Sequence, residues 1–308
     1  MASLRKTWGT MRIAALPLTR AAQPLAHPSQ RIITYYSFKT VPPSTPPKPE
    51  RAVHDPPPPL LARWLPEEGV VKWAAYKVDS TWSGWGMAER GSWRLRVFEF
   101  GERFLDKMDF EESMLKAIDM SIAPPAKVPD GLTGQEKADA EAEWSKLRVP
   151  LLFPPAVSSG SSALEDLRHL LEKRIPLHKK GFYTYLVIAP LTTPFMIIPI
   201  IPNLPFFFCA WRSWSHYQAL RAARRIDALL QGGKIVPEAH AALDAVYTDA
   251  DADAKQQTVA PDAPQAQTVI VTPASLGHAM RVLDMKPNEV TDVLRAYEQA
   301  GNRVRLPR

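Results

Sequence analysis

Two histidines are the residues of this chain best placed for chemistry. His178 and His216 flank a long apolar run, so folding that run into a hairpin would bring them together. Imidazole changes charge near neutral pH, which suits a pH sensor. The plainer role is structural, at an interface, and both readings stand open. Asp109 and Glu111 form a second candidate group. Carboxylates two residues apart invite a catalytic or metal reading, but at a helix start they equally suit the helix dipole as solvated charges. Cys209 is the single cysteine. It allows no internal disulfide and no multi-thiolate metal site, and in apolar surroundings it is expected to act as a small hydrophobe. The chain carries no HExxH, P-loop, GxGxxG or GxSxG pattern. It is therefore expected not to be an enzyme, and to use no cofactor and no metal.

The apolar run sets the frame for these residues. No Asp, Glu, Lys or Arg lies between Lys180 and Arg212. As one straight helix it would be about 46 Å long, against a hydrocarbon core of about 30 Å. Pro190, Pro194, Pro199, Pro202 and Pro205 argue against a straight helix, and Asn203 between prolines reads as a turn. Three shapes compete: a kinked single span, a hairpin of two short helices that dips into a membrane and returns, and a hairpin buried in a soluble core. The flanks favour the membrane hairpin. Lys179 and Lys180 precede the run and Arg212 follows it, so both ends are basic and suit one membrane face with anionic lipids. Phe182, Tyr183, Trp211 and Trp214 stand near the two ends as an interfacial aromatic belt. An ion path normally places ionisable groups inside the membrane. Their absence from residues 182–211 points to an anchor that works with other membrane subunits or by self-association.

The N-terminus looks like an address. Residues 1–40 contain Arg, Ser, Thr and Ala but no acidic residue, the composition of a mitochondrial transit peptide. Leu4 to Leu18 is expected to form a short basic amphipathic helix, with cleavage between Arg31 and Thr40. Removing Arg5, Lys6, Arg12, Arg20 and Arg31 takes the net charge from +6 to +1. A near-neutral mature chain gives no reason to expect a nucleic-acid partner.

Residues 41–60 form a proline-rich linker, expected to be polyproline-like. Residues 61–247 read as the main domain. It opens with a tryptophan-rich stretch (Trp64, Trp73, Trp82, Trp85, Trp93) in which Val70 to Val78 suits a strand. Helical spacing predicts a helix from Trp93, a second short helix ending near Ile118, a helix from Thr133 to Leu147 opened by a Thr133/Glu136 capping box, and another over Ala163 to Arg174. Val149 to Val157 reads as an apolar link. A long helix should follow Trp211 and stop at Gly232-Gly233. Residues 248–268 read as a disordered linker, and residues 269–308 as a small helical hairpin. The fold class is thus mainly α: a helical, membrane-associated protein with a proline-broken apolar hairpin.

Particular motifs add a resemblance. His178-Lys179-Lys180, the run ending Pro202-Asn203-Leu204-Pro205-Phe206-Phe207, and Trp211-Arg212-Ser213-Trp214-Ser215-His216 resemble the mitochondrial K+–H+ exchange-related family. Gly101, Leu105, Asp109, Glu111, Glu112 and Leu115-Lys116 look like the same family's N-terminal half. The resemblance covers roughly Trp64 to Leu230. It implies a mitochondrial inner-membrane protein linked to potassium–proton exchange and volume homeostasis, as regulator or subunit in preference to stand-alone carrier. The alternative is a structural or assembly factor of that membrane without transport activity.

Overall fold

A computed structural model describes residues 8–20, 32–42, 80–81, 84–106, 108–192, 204–254 and 268–305. The chain divides into two compact units, one of residues 1–44 and 109–308, the other of residues 45–108. Of the second unit, helix α1 (Trp93–Asp106) is described, as its apolar spacing predicts. Trp85 packs edge-on against Trp93, with ring centroids 5.5 Å apart. The candidate strand over Val70 to Val78 and most of the linker over 41–60 lie outside the described residues, as do Trp64, Trp73 and Trp82.

The first unit is built on a mixed sheet. Its strands are β1 (Thr10–Pro17), β3 (Thr34–Val41), β4 (Val149–Phe153) and β5 (Ile235–Ala239), in the order β3-β1-β4-β5. β3 runs antiparallel to β1, pairing Thr10 with Val41 through to Pro17 with Thr34. β4 is parallel to both β1 and β5. A short strand β2 (Thr19–Arg20) pairs antiparallel with β6 (Thr268–Val269). The helices of this unit are α2 (Phe110–Lys116), α3 (Gly134–Lys146), α4 (Gly160–Leu191), α5 (Leu204–Gln231), α6 (Ala241–Ala254), α7 (Pro273–Val282) and α8 (Pro287–Arg305).

The sheet corrects the reading of the N-terminus. Of the helix expected over Leu4 to Leu18, residues 10–17 are instead β1, an inner strand, and Leu4 to Thr7 lie outside the described residues. Ile13, Ala15 and Leu16 are buried there. Val149 to Val157 is likewise no mere link, since its first half is strand β4. Both stretches are apolar on successive residues because the sheet is covered on both faces, as buried parallel strands require. Ala14 and Leu152, register partners, pack with Leu243 and Leu283. Neighbouring Ile13 and Leu151 face the other way and join Leu167, Leu171 and Ile226. A cut anywhere between Arg31 and Thr40 would remove β1, and a cut near Thr40 most of β3 as well.

The C-terminal helices α7 and α8 form where the sequence places them, opened by a Thr272/Ser275 capping box. They are not a separate module. Val293, Ala296 and Ala300 belong to the main core, the Gln299 side chain accepts a hydrogen bond from Phe110 N at 3.2 Å, and Lys39 pairs with Asp284. The expected linker over 248–268 is shorter than its predicted bounds, because α6 runs to Ala254; residues 255–267 lie outside the description. At α3, Thr133 is the N-cap but its side chain makes no capping bond.

The apolar run takes the shape of a hairpin, though of long helices. α4 starts at Ser159, whose hydroxyl accepts from Ser162 N, and continues for 32 residues through Pro176 and Pro190. α5 has 28 residues. Pro205 stands in its first turn, where a missing N–H costs little. The helices are antiparallel, since contacts pair 178 with 216, 182 with 213 and 185 with 208. No helix among the described residues is long and apolar enough to cross a membrane. Pro194, Pro199, Pro202 and Asn203 lie outside the described residues.

Candidate functional site at the base of the hairpin

Helix α2 carries two consecutive carboxylates, Glu111 and Glu112. Residues adjacent on a helix point about 100° apart, so the two reach different neighbours. Both are buried, and neither is a solvated helix-start charge. Asp109 is the N-cap, accepting from Glu111 N at 3.2 Å. Asp109 and Glu111 together hold Arg174 of α4 and Arg303 of α8, with both Arg303 bonds at 3.0 Å. Burial works to raise the Asp109 pKa, but the two guanidinium groups outweigh it and hold the carboxyl below its ordinary value.

Glu112 faces α5. Arg212 grips it with two N–H groups, the longer bond 2.9 Å. The Ser215 hydroxyl donates to the same carboxylate at 2.7 Å. Burial again opposes ionisation, and the Arg212 and Ser215 hydrogen bonds again prevail, keeping the pKa low. Beside this pair the two histidines meet. His178 Nδ1 and His216 Nδ1 are 3.0 Å apart, so one ring donates to the other. The hairpin thus brings together the two residues that the sequence singles out. Burial pushes His178 down to about 4, with Glu112 pulling the other way. His216 also lies below its ordinary value, through burial and then Arg212.

The His216 ring occupies a prepared slot. Tyr185 stacks on it at 5.7 Å, and a Cβ on Gly181 would come within 2.6 Å of it. Only a residue without a side chain lets the ring lie so close to α4. Arg174, His178, Gly181 and Tyr185 recur at helical spacing on α4, and Arg212, Ser215 and His216 do so on α5. That spacing is the sequence signal for Arg174, Gly181, Tyr185 and Ser215. Glu112 carried only the family resemblance, because its partners lie about a hundred residues away.

The other predicted residues scatter. Arg212 faces inward to Glu112, so it is not available to a lipid head group as expected. Lys179 and Lys180 are exposed, as are Pro190, Pro205 and Trp214. Trp211 is half-buried, with the Lys116 ammonium 5.9 Å from its ring centroid. Cys209 is buried and free, as a small hydrophobe would be.

Beyond the base, the polarity reverses. Tyr183, Leu186, Val187, Ile188 and Leu191 of α4 and Phe207 and Phe208 of α5 are exposed, Leu191 at 70% and Val187 at 62%. Single exposed apolar residues are ordinary, but a contiguous patch of this kind marks an interaction surface.

Fold and site therefore define a class: a mixed α/β core with a helical hairpin that has an ion-paired neck and an exposed apolar tip. The chain belongs to the mitochondrial K+–H+ exchange-related family, which matches residues 12–230. The match begins within β1, so the family includes the strand expected to lie in a leader. An uncharacterised protein of Saccharomyces cerevisiae is 33% identical over 82 residues, covering 27% of this chain and 26% of its own length. An uncharacterised protein of Schizosaccharomyces pombe is 25% identical over 154 residues, covering 50% of this chain and 60% of its own. The chain thus spans less than two thirds of either curated relative. No solved structure matches. The family name ties the protein to the mitochondrion and to potassium–proton exchange there.

Proposed function

We propose that the protein is a hairpin-anchored component of the mitochondrial inner membrane that serves potassium–proton exchange as a regulator or subunit and carries no ion by itself. The observation that supports this most is the exposed apolar tip. From Lys180 to the end of α4 at Leu191 the helix rises about 16 Å, close to one leaflet of a hydrocarbon core about 30 Å thick. Lys179 and Lys180, with Arg221 and Arg224 on α5, are exposed below that stretch, where anionic head groups would sit. The tip enters one leaflet and the α/β core stays on one side. The apolar run offers a cation neither charge nor carboxylate, which favours the supporting role over the carrier.

Vesicle sedimentation tests the anchor. Full-length protein should pellet with vesicles containing anionic lipid, and replacing Leu186, Val187 and Phe207 by serine should abolish pelleting while the fold persists. Equal pelleting of that variant would overturn the anchor. Potassium-driven proton flux in proteoliposomes tests the supporting role: flux proportional to the density of this protein alone would overturn it.

A further inference from the structure

The neck of the hairpin holds a set of groups that ion pairing alone does not account for. Glu112, His178 and His216 come from three different helices, all three are buried, and one ligand atom of each lies within 4.8 Å of the others. His178 has no exposed surface at all, and its Nε2 has no hydrogen-bond partner among the described residues. The other ring nitrogens are close to the separation that a metal imposes. Two imidazoles on tetrahedral zinc, each bound at about 2.0–2.1 Å, have ligating atoms about 3.4 Å apart; here the Nδ1 atoms are 3.0 Å apart.

We infer that Glu112, His178 and His216 form a binding site for a divalent transition-metal ion of the zinc type at the neck of the hairpin. The donor set selects the metal class. Two imidazoles and one carboxylate suit Zn2+ and its neighbours. Hard cations, which take oxygen ligands, are excluded by the same set, so this is no site for the exchanged potassium. Glu112 accepts three hydrogen bonds, two from Arg212 and one from Ser215, and an ionised carboxylate offers about four acceptor positions. One remains, and the three bonds fix the carboxylate's direction as outer-shell partners do for metal ligands. Of the nearby cations, Arg174 and Arg303 are held by Asp109 and Glu111, while Arg212 and Lys116 share the charge of Glu112 with the ion. The ion would replace the His–His hydrogen bond and join α2, α4 and α5 at one point. Metal occupancy would then stiffen the neck and set how the tip is presented.

Titration of purified full-length protein with Zn2+, followed by calorimetry, tests the site, with Co2+ absorption as a second readout. The wild type should take up one equivalent, and Co2+ should show the visible spectrum of a tetrahedral imidazole-ligated ion. His178→Ala and His216→Gln should each weaken binding by at least tenfold. His169→Gln, at a half-buried histidine of α4 paired with Glu165 and Glu172, should leave it unchanged. Absence of uptake by the wild type would overturn the site. So would equal binding by the two histidine variants, or a thiolate-to-cobalt absorption band, which would place the ion on Cys209. If both histidine variants fail to fold, the wild-type Co2+ spectrum decides between imidazole ligation and none.

Discussion

Along α4 and α5 the same pair of helices is packed in two opposite ways. At the base the charged and polar groups point inward: Glu112, Arg174, His178, Ser215 and His216 are buried. About 16 Å further along α4, Leu186, Val187 and Leu191 point outward. A soluble helical pair would reverse both choices. On the proposed membrane anchor, two solvents shape one hairpin. The base is designed against a protein core, where each buried charge must be paired. The tip leaves Leu186, Val187 and Leu191 exposed, which a lipid environment would favour over water. The base therefore matters for stability and the tip for association, and that division can be broken by experiment.

The largest effect on stability should come from Glu112→Ala. It takes from the half-buried Arg212 its carboxylate partner, a change that costs up to about 3–5 kcal/mol in comparable buried pairs. Urea unfolding would read this as a large fall in midpoint, and a loss below about 1 kcal/mol would mean that the neck is wet and its ion pairs are weak. Asp109→Asn should cost less, about 1–3 kcal/mol at neutral pH. The sign of its pH dependence follows from the lowered Asp109 pKa. A carboxyl whose folded value is depressed adds stability above its unfolded value near 3.8 and loses that stability as pH falls through the folded value. The gap between variant and wild type should accordingly be full at pH 7 and close as pH falls below about 4. Asn caps a helix as well as Asp, so a gap independent of pH would show that the charge of Asp109 is not what stabilises the neck.

Gly181→Ala comes next. The new Cβ would meet the His216 ring at 2.6 Å, so the ring or the helix must move, at about 1–3 kcal/mol. Histidine NMR resonances should shift in this variant, and unchanged resonances would refute the slot. The smallest effect belongs to the tip. Val187→Ser and Leu191→Ser should change stability by no more than about 0.5 kcal/mol, yet weaken vesicle binding, since each apolar side chain taken from water contributes about 1.5–3 kcal/mol. Destabilisation by more than about 1 kcal/mol would mean that the tip is packed against protein and the contrast with the base is false.

Much of the helical half was legible in the sequence. Apolar residues at helical spacing mark α1, α5, α7 and α8, and Gly233, at φ +63°, ends the turn after α5 as a glycine can. The hairpin followed from basic flanks on both sides of an apolar run, and with it the meeting of His178 and His216. The strands were not legible. β1 lies in a stretch rich in Arg and Ala and free of acids, and composition of that kind speaks of targeting before it speaks of a sheet. β4 is five residues long and contains Pro150. A short apolar run has no period of its own, and only its neighbours make it a strand.

The sequence by itself determined the local elements: helix spacing, caps, stops, and the exclusion of charge from the hairpin's tip. These depend on neighbours within a few residues, which is the range over which helical periodicity acts. Tertiary structure alone decided that residues 10–17 form the inner strand of a sheet with residues 149–153, that Arg212 turns inward to Glu112 and not outward to a membrane, and that α8 sends Arg303 back to Asp109. Each of these joins residues about a hundred or more positions apart. Burying a charge or pairing a strand lowers the free energy only when the distant partner is already in place, so no local pattern records it.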